Sequence, residues 1–317
     1  MNPQSRRQIG NTQVTIPALG LGGSALGGIR ADRPVNKAQT DTAYQAAWDL
    51  GFRYFDTGPL YGAGFGERHA GRLLAKMPRG SFVISTKVGR YPDHFDYGFD
   101  ATLRSIEKSL ERLGTDRLDI VFIHDIDPDN HGPEGWKARS REALNGAYPA
   151  LDRLKAEGVV GALGVGVNSC PVCTECLREV DFDVFMLAGR YTLLDQTALE
   201  ELLPLCERRE ASVISAAPFN SGILAASARF NEGVPDTYVL RRISRIEAVC
   251  DDFGVSLGAA ALQFPLGHPV VAAVTPGPRT TEQVQSAAHW FEESIPPEFW
   301  TALKDARLLD AETPVPK

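Results

Sequence analysis

Short apolar runs alternate along the chain with longer stretches in which apolar residues recur at helical spacing. Eight runs have the composition of strands: Ala18–Gly23, Arg53–Asp56, Phe82–Thr86, Leu118–His124, Ala162–Val167, Val184–Ala188, Ser212–Ala217 and Val270–Thr275. Helices are predicted near residues 37–50, 66–76, 100–113, 141–157, 170–180, 195–210, 237–253, 256–266, 280–290 and 296–308. This alternation is typical of a parallel sheet, and eight repeats favour a closed (β/α)8 barrel over an open sheet.

We predict a single domain over residues 1–317, because no linker-like or low-complexity segment divides the chain. Gly10-Asn11 predicts a short N-terminal hairpin that closes one end of the barrel. Pro296-Pro297 predicts the start of an extra C-terminal helix. Residues 125–144 are polar and interrupted by proline and glycine, so they are predicted to form a long functional loop.

Composition narrows the class of protein. The chain has 317 residues, of which 43% are hydrophobic, and its 33 basic and 40 acidic residues give a net charge of −7. Like charges do not cluster, which argues against nucleic-acid binding. The polar N-terminus predicts no secretory signal, and no run is apolar enough to span a membrane. We therefore expect a cytoplasmic protein that binds neither nucleic acid nor membranes, with homo-oligomerisation left open.

The cysteines form one short motif. Cys170, Cys173 and Cys176 make a C-x2-C-x2-C pattern, whereas Cys206 and Cys250 stand alone. A structural zinc site needs four ligands, and a fourth is not evident in the sequence. Pro171 also predicts that a helix starts at this point. The pattern therefore favours ordinary helical cysteines over a metal or redox site.

Polar residues follow several of the predicted strands. Asp56, Lys87, His124 and Asn168 come at strand ends, and Tyr61 lies in the loop after Asp56. Taken singly, the aspartate suits a loop cap, the lysine a surface position and the histidine a hydrogen-bonded core position. In a (β/α)8 barrel, however, the carboxyl ends of the strands share one rim, where active sites lie. The combination therefore predicts a cluster of titratable groups.

Each group in this cluster has a chemical use. A tyrosine has an ordinary pKa near 10, and a neighbouring ammonium is expected to lower that pKa. A carboxylate would hold the ammonium in place, and an imidazole beside the phenol would orient a substrate oxygen. Such a cluster suits proton transfer in a carbonyl/alcohol pair. It has no redox centre, so a hydride must come from a cofactor.

Three segments resemble the aldo-keto reductase family. They are the run from Gly51 to Gly62, which ends a strand in Asp-Thr with a tyrosine five residues after the aspartate, then Ser85-Thr86-Lys87, and Ile123-His124. The resemblance covers essentially the whole chain. It implies a (β/α)8 barrel in which Asp56, Tyr61, Lys87 and His124 form a catalytic tetrad, with Tyr61 as general acid and base.

Other segments are similar to one branch of that family. Residues 61–67, 188–195 and 216–224 resemble the aldose 1-dehydrogenases, a branch that includes L-fucose (D-threo-aldose) dehydrogenase and a pyridoxal 4-dehydrogenase. This resemblance implies oxidation of a cyclic hemiacetal to a lactone, with Tyr61 taking the hydroxyl proton while hydride leaves to a nicotinamide. The same groups would reduce a carbonyl in reverse, so a generic aldehyde or ketone reductase is the alternative.

The resemblance also implies a binding segment for NAD or NADP. The positions expected to contact the cofactor are Gly22, Asn168, Ala216, Pro218, Phe219, Asn220, Ser221, Gly222, Leu224, Pro276, Gly277, Arg279 and Gln283. Gln283 stands where the family often has an arginine that holds the 2′-phosphate of NADP. An uncharged glutamine at this position favours NAD as the cofactor, whereas Arg279 could still bind the 2′-phosphate of NADP.

Trp136, together with Tyr61 and His124, is expected to contact substrate, and Phe219, Phe230 and Tyr238 are candidate apolar walls. Three other hypotheses remain. Gly20-Leu21-Gly22-Gly23-Ser24-Ala25 loosely fits a Rossmann fingerprint, but no helix opens at once and no acidic partner follows. Lys87 could instead form a Schiff base, as in an aldolase. The chain could also be a regulatory subunit that binds nucleotide with little turnover.

Overall fold

The computed structural model describes residues 1–3, 5–28, 35–225 and 233–317. The strands in this part of the chain are β1 Arg6–Gln8, β2 Thr15–Pro17, β3 Leu21–Gly22, β4 Tyr54–Asp56, β5 Val83–Val88, β6 Leu118–His124, β7 Val160–Val167, β8 Val184–Ala188, β9 Ser212–Ala216 and β10 Val271–Thr275. The α-helices are α1 Ser24–Gly27, α2 Lys37–Asp49, α3 Phe65–Leu74, α4 Phe99–Leu113, α5 Pro128–Asn145, α6 Ala147–Ala156, α7 Cys170–Glu179, α8 Leu202–Arg208, α9 Thr237–Phe253, α10 Leu257–Gln263, α11 Thr281–Glu292 and α12 Pro297–Asp305.

Strands β3 to β10 form one parallel sheet in which each strand pairs with the next in chain order. A bridge between Leu19 and Val274 joins the first strand region to the last, so the sheet closes. Helices follow the strands and cover the outside of the sheet. This arrangement confirms the predicted (β/α)8 barrel. In the described residues, no helix is both long and apolar enough to cross a membrane.

The strands are apolar on both faces because they separate two cores. Inside the barrel, Tyr54, Val83, Ile120 and Phe122 pack together and are almost fully buried. Outward-facing residues such as Val121 pack instead against the helices, in the larger of the two cores. This double burial explains the continuous hydrophobic runs in the sequence.

The N-terminal hairpin closes the amino-terminal end of the barrel, as predicted. Strands β1 and β2 pair antiparallel, and Ile9 and Ile16 join the core inside the barrel. Arg7 anchors the hairpin by donating hydrogen bonds to the carbonyls of Leu266 and Val271. With this end closed, the opposite rim, formed by the carboxyl ends of the strands, is left for binding.

Three predicted elements differ from the structure, and the first is the helix expected over 141–157, which is divided at Gly146 between α5 and α6. Residues 125–144 were expected to form a loop, but most of them belong to helix α5, so that prediction is wrong. The side chain of Asp127 caps the helix, and Pro128 occupies its first turn, where a proline is tolerated. Gly132 breaks the helix, with a φ of 73°, ahead of Pro133. The helix observed within the predicted range 195–210 is shorter than expected, since α8 begins at Leu202 after a 3-10 turn.

A substitution at Gly164 tests how closely strand β7 packs against β8. A Cβ atom at Gly164 would lie 1.8 Å from the carbonyl oxygen of Val184, which is backbone and cannot move aside. We expect Gly164→Ala to destabilise the protein by about 1–3 kcal/mol or more, the usual cost of overpacking. Gly80→Ala is the matched control, because a Cβ there would meet nothing within 4 Å. Urea unfolding of both variants checks this, and equal midpoints would contradict it.

Candidate active site

A buried ion pair lies at the carboxyl ends of strands β4 and β5. Lys87 Nζ donates to both oxygens of Asp56, at 2.7 and 2.6 Å, and to the carbonyl oxygen of Thr57 at 2.8 Å. The two side chains are 2% and 5% exposed. Three acceptors therefore use all three protons of the ammonium, and the lysine is held in one position.

A chain of hydroxyl groups supports this pair from inside the barrel. Ser85 Oγ donates to Asp56 Oδ1 at 2.7 Å, and Tyr54 Oη lies 3.0 Å from Ser85 Oγ. Ser85 and Lys87 are two residues apart on β5, so both side chains point to the same face of the strand. Burial raises the pKa of Asp56, and both the charge of Lys87 and the hydrogen bond from Ser85 oppose that rise.

Tyr61 lies next to both the ammonium of Lys87 and the imidazole of His124. Lys87 Nζ is 4.9 Å from the centre of the Tyr61 ring. The ring of His124 meets the same tyrosine edge-on, with 5.9 Å between ring centroids and 87° between ring planes. The structure therefore brings the four predicted residues Asp56, Tyr61, Lys87 and His124 together on one rim.

The loop that carries Tyr61 is shaped by glycines. Gly62 and Gly64 both have positive φ, at 61° and 80°, which side chains rarely adopt. The close approach of helix α1 also requires a small residue, because a Cβ on Gly27 would lie 2.6 Å from the Cβ of Tyr61. These backbone constraints hold the tyrosine ring next to the ammonium of Lys87.

Burial dominates the electrostatics of the site. It raises the pKa of Tyr61 well above 10, and the charges of Asp56 and Asp125 add to that rise. The predicted net lowering of the Tyr61 pKa is therefore wrong, because burial outweighs the positive charges that favour the phenolate. Burial also lowers the pKa of His124 well below 6.5, with Lys87 and Arg90 contributing. At neutral pH the site thus presents a phenol and a neutral imidazole.

A second group of predicted residues lines the same rim on the β3–β10 side. The backbone N–H of Gly22 donates to the carbonyl of Pro276 at 2.9 Å. A Cβ atom added to Gly277 would come no closer than 3.7 Å to its nearest neighbour, Oγ of Ser24. After β9, Asn220 and Ser221 both have positive φ, at 44° and 63°. Strained non-glycine backbone of this kind clusters at ligand-binding segments. The small residues and the strained turn at the carboxyl ends of β3, β9 and β10 are candidates to hold a cofactor.

Six other predicted cofactor positions lie at the end of β9, around the strained turn, after β7 and around the start of helix α11. Ala216 ends β9, Pro218 and Gly222 flank the strained turn, and Asn168 is exposed after β7. The backbone N–H of Arg279 donates to Gln283 Oε1 at 2.8 Å.

Several expected contact residues pack away from the rim surface. Phe219 lies edge-on against Trp290 of helix α11, with 5.6 Å between ring centroids, and Leu224 is fully buried. Trp136 is 8% exposed and packs in the outer core, whereas Tyr238 is 69% exposed. Phe230 lies outside the described residues.

In the part of the chain that the structure describes, the five cysteines form neither a disulfide nor a metal site. Burial raises the pKa of each of Cys170, Cys173, Cys176, Cys206 and Cys250, and all five are free thiols. Among the described residues, no group of three or more His, Cys, Asp or Glu side chains is placed to hold a metal ion.

Sequence reasoning missed two charged residues at this rim. Arg90 follows β5 and pairs with Asp125, which follows His124 directly. Asp125 Oδ2 is 3.4 Å from His124 Nε2. The sequence position of Asp125, directly after His124, could have indicated a second carboxylate at the rim, whereas nothing in the spacing of residues indicated Arg90. Ser85 was also missed, although its position two residues before Lys87 predicts a shared strand face.

A parallel (β/α)8 barrel that gathers an aspartate, a tyrosine, a lysine and a histidine at the carboxyl ends of its strands defines a class of barrel enzyme. The model of the Aldo/keto reductase family matches residues 18–307, and the chain belongs to this family. It is therefore an oxidoreductase of a family that uses nicotinamide dinucleotides and small-molecule substrates.

Relatives and solved structures agree with this membership. The chain is 37% identical to a pyridoxal 4-dehydrogenase of Microbacterium luteolum, over 98% of this chain and 99% of that one. It is 37% identical to a D-threo-aldose 1-dehydrogenase of a Pseudomonas species, over 93% and 95%. In fold it is similar to an aldo-keto reductase of Bacillus halodurans, with a TM-score of 0.78, 23% identity and 98% of each chain covered.

The burial of His124 predicts a pH dependence of stability. Its pKa is lowered in the folded state, so as pH falls the unfolded chain takes up this proton first, near pH 6.5, and folding is weakened. We expect the free energy of unfolding of the wild type to fall below pH 6.5 more steeply than that of His124→Gln, by up to about 1.4 kcal/mol per pH unit. Urea unfolding from pH 7.5 down to about 5 checks this. Parallel curves for the two proteins would contradict it.

Proposed function

We propose that this protein oxidises a cyclic hemiacetal, either an aldose or pyridoxal, to a lactone with a nicotinamide dinucleotide, with Asp56, Tyr61, Lys87 and His124 as its catalytic residues. The observation that carries the proposal is the placement of Tyr61 next to both the ammonium of Lys87 and the imidazole of His124. Support for the substrate class comes from the two relatives at 37% identity, whose names specify an aldose and pyridoxal.

Each residue has one task in this reaction. Tyr61 takes the proton of the hemiacetal hydroxyl, and His124, which stays neutral, orients that oxygen by a hydrogen bond. Lys87 stabilises negative charge on the phenol oxygen, and Asp56 keeps Lys87 charged and fixed. The same groups act in reverse when a carbonyl is reduced, with Tyr61 as the proton donor.

The cofactor would be held by the small residues and strained turn of the β3–β10 side. Gly22 and Pro276 are joined by a backbone hydrogen bond next to the exposed Gly277 at one edge, and Asn220 and Ser221 shape the other. When bound, the dinucleotide supplies the hydride acceptor that these side chains cannot provide.

The same region favours NAD over NADP. A 2′-phosphate is usually held by charge-assisted hydrogen bonds from lysine or arginine. Here Gln283 is uncharged and its Oε1 accepts from the backbone of Arg279. We expect NAD to bind more tightly than NADP and Gln283→Arg to narrow that difference about tenfold, the effect of roughly 1.4 kcal/mol. Nucleotide titration by protein fluorescence checks this, and tighter binding of NADP by the wild type would contradict it.

The main test is turnover with a small substrate panel. L-fucose, D-arabinose, L-galactose and pyridoxal are each mixed with the protein and NAD or NADP, and the absorbance of reduced nicotinamide is followed. Reduction of simple aldehydes is measured in the opposite direction. Turnover of a hemiacetal is the expected result. Tight nucleotide binding without turnover of any substrate would instead favour a regulatory role and overturn the proposal.

Tyr61→Phe separates chemistry from binding. Removal of the proton acceptor should lower kcat by about 10²–10⁴-fold, the usual contribution of general acid–base catalysis, with nucleotide affinity unchanged. Tyr148→Phe is the matched control, since Tyr148 lies on helix α6 and donates to the carbonyl of Asp181. Equal activity in the two variants would remove Tyr61 from the mechanism.

The raised pKa of Tyr61 adds a pH signature. Oxidation needs the phenolate, which burial disfavours, so kcat/KM for oxidation should rise as pH increases from 7 towards the pKa of the phenol. Reduction needs the phenol and should not rise over the same range. A flat oxidation profile between about pH 7 and 10 would contradict this assignment.

A further inference from the structure

Arg90 and Asp125 form an ion pair at the rim that the proposed chemistry leaves unused. Arg90 lies just after strand β5, and Asp125 directly follows strand β6, so both stand at the carboxyl ends of neighbouring strands. Arg90 Nη1 donates to Asp125 Oδ2. The side chain of Asp125 is 10% exposed and that of Arg90 is 27% exposed. The pair is thus partly shielded from water while it remains open on one side.

This pair adjoins the proposed reaction site. Asp125 Oδ2 lies 3.4 Å from Nε2 of His124. Its charge contributes to the raised pKa of Tyr61, and the charge of Arg90 opposes that effect. A substrate oxygen held between Tyr61 and His124 would therefore place its neighbouring atoms beside Arg90 and Asp125.

The backbone of Asp125 is built to hold its side chain in this place. Asp125 has a φ of 55°, an uncommon conformation for a residue with a side chain. Its backbone N–H donates to the carbonyl of Gly166 at 2.9 Å, and its carbonyl accepts from Tyr97 Oη at 3.0 Å and His131 Nε2 at 2.9 Å. Contacts with three other segments of the chain thus enforce a strained conformation, which is typical of functional positions.

Both partners keep hydrogen-bonding capacity for a ligand. Both polar contacts of the Asp125 carboxylate use Oδ2, and within the described part of the chain no hydrogen bond reaches Oδ1. Arg90 likewise uses one of its five N–H donors among the described residues. A carboxylate oxygen and guanidinium N–H groups side by side match a hydroxyl, which donates to the first and accepts from the second.

We propose that Arg90 and Asp125 recognise the hydroxyl on the carbon next to the one that is oxidised, and so select polyhydroxylated hemiacetals, such as aldoses, over substrates that lack this group. The inference rests on the proposed hemiacetal oxidation and adds the residues that determine its substrate class. A substrate without the hydroxyl would cover the ion pair and leave its polar atoms unpaired, which costs binding free energy in the transition state.

Two sugars that differ by one hydroxyl test the proposal. D-arabinose and 2-deoxy-D-ribose share every other centre, so their kcat/KM ratio isolates the hydroxyl at carbon 2. We expect the wild type to prefer D-arabinose by about 100-fold, and Asp125→Asn to reduce that preference below about fivefold, mainly by slowing D-arabinose. Arg90→Lys keeps the charge but loses the planar fork, and it should reduce the preference to an intermediate ratio.

Arg153→Gln is the matched control for loss of a charged partner. Arg153 pairs with Glu157 on the outer helix α6, and its loss should leave the sugar preference unchanged. Thermal unfolding of all variants confirms that they are folded. If Asp125→Asn slows both sugars equally, the pair acts on the chemistry or on the loop structure, and the proposal is overturned. A wild type that does not discriminate between the sugars overturns it as well.

A binding measurement separates this inference from the proposed function. If the wild type oxidises neither sugar, equilibrium dialysis of both sugars against the NAD-loaded protein decides the inference, whereas the proposed function fails only if no substrate of the panel is oxidised. Tighter retention of D-arabinose by the wild type, lost in Asp125→Asn, would support hydroxyl recognition without turnover. Equal retention of the two sugars, or retention of neither, would overturn it.

Discussion

The buried ion pair of Asp56 and Lys87 is the interaction on which the rest of the site depends. Removing two charges from water costs several kcal/mol each, and their attraction offsets this only when the geometry is good and the remaining polar atoms are satisfied. Here Thr57 and Ser85 supply those further hydrogen bonds, so the pair is fully connected. The (β/α)8 barrel makes this arrangement feasible, since parallel strands deliver their carboxyl ends to one rim.

Burial of that pair also sets the state of its neighbours. Tyr61 and His124 lie in the same water-poor region, and burial keeps both uncharged at neutral pH by moving their pKa values in opposite directions. A phenol and a neutral imidazole beside a fixed ammonium form a site that exchanges one proton with an alcohol or a carbonyl. The protonation states that proton transfer requires are therefore set by the burial that these side chains share, more than by any single side chain.

The rim divides into regions with separate tasks. Small residues and strained backbone lie on the β3–β10 side, whereas charged residues lie after β5 and β6. The first arrangement is the one proposed to hold the cofactor, and the second offers hydrogen bonds to a small polar group. Arg90 and Asp125 thus extend the site beyond the proton-transfer groups, toward the part of a substrate that does not react.

The sequence by itself determined the architecture, because eight doubly apolar strands alternating with helices have few ways to bury their faces. It also located Asp56, Tyr61, Lys87 and His124, since strand ends in a barrel share a rim. Other features depended on contacts between distant segments. Helix α5 formed where a loop was predicted, because side chains such as Trp136 and Ala143 pack into the outer core. The raised pKa of Tyr61 and the pairing of Arg90 with Asp125 required the tertiary structure, since burial and proximity across strands have no signature in local spacing.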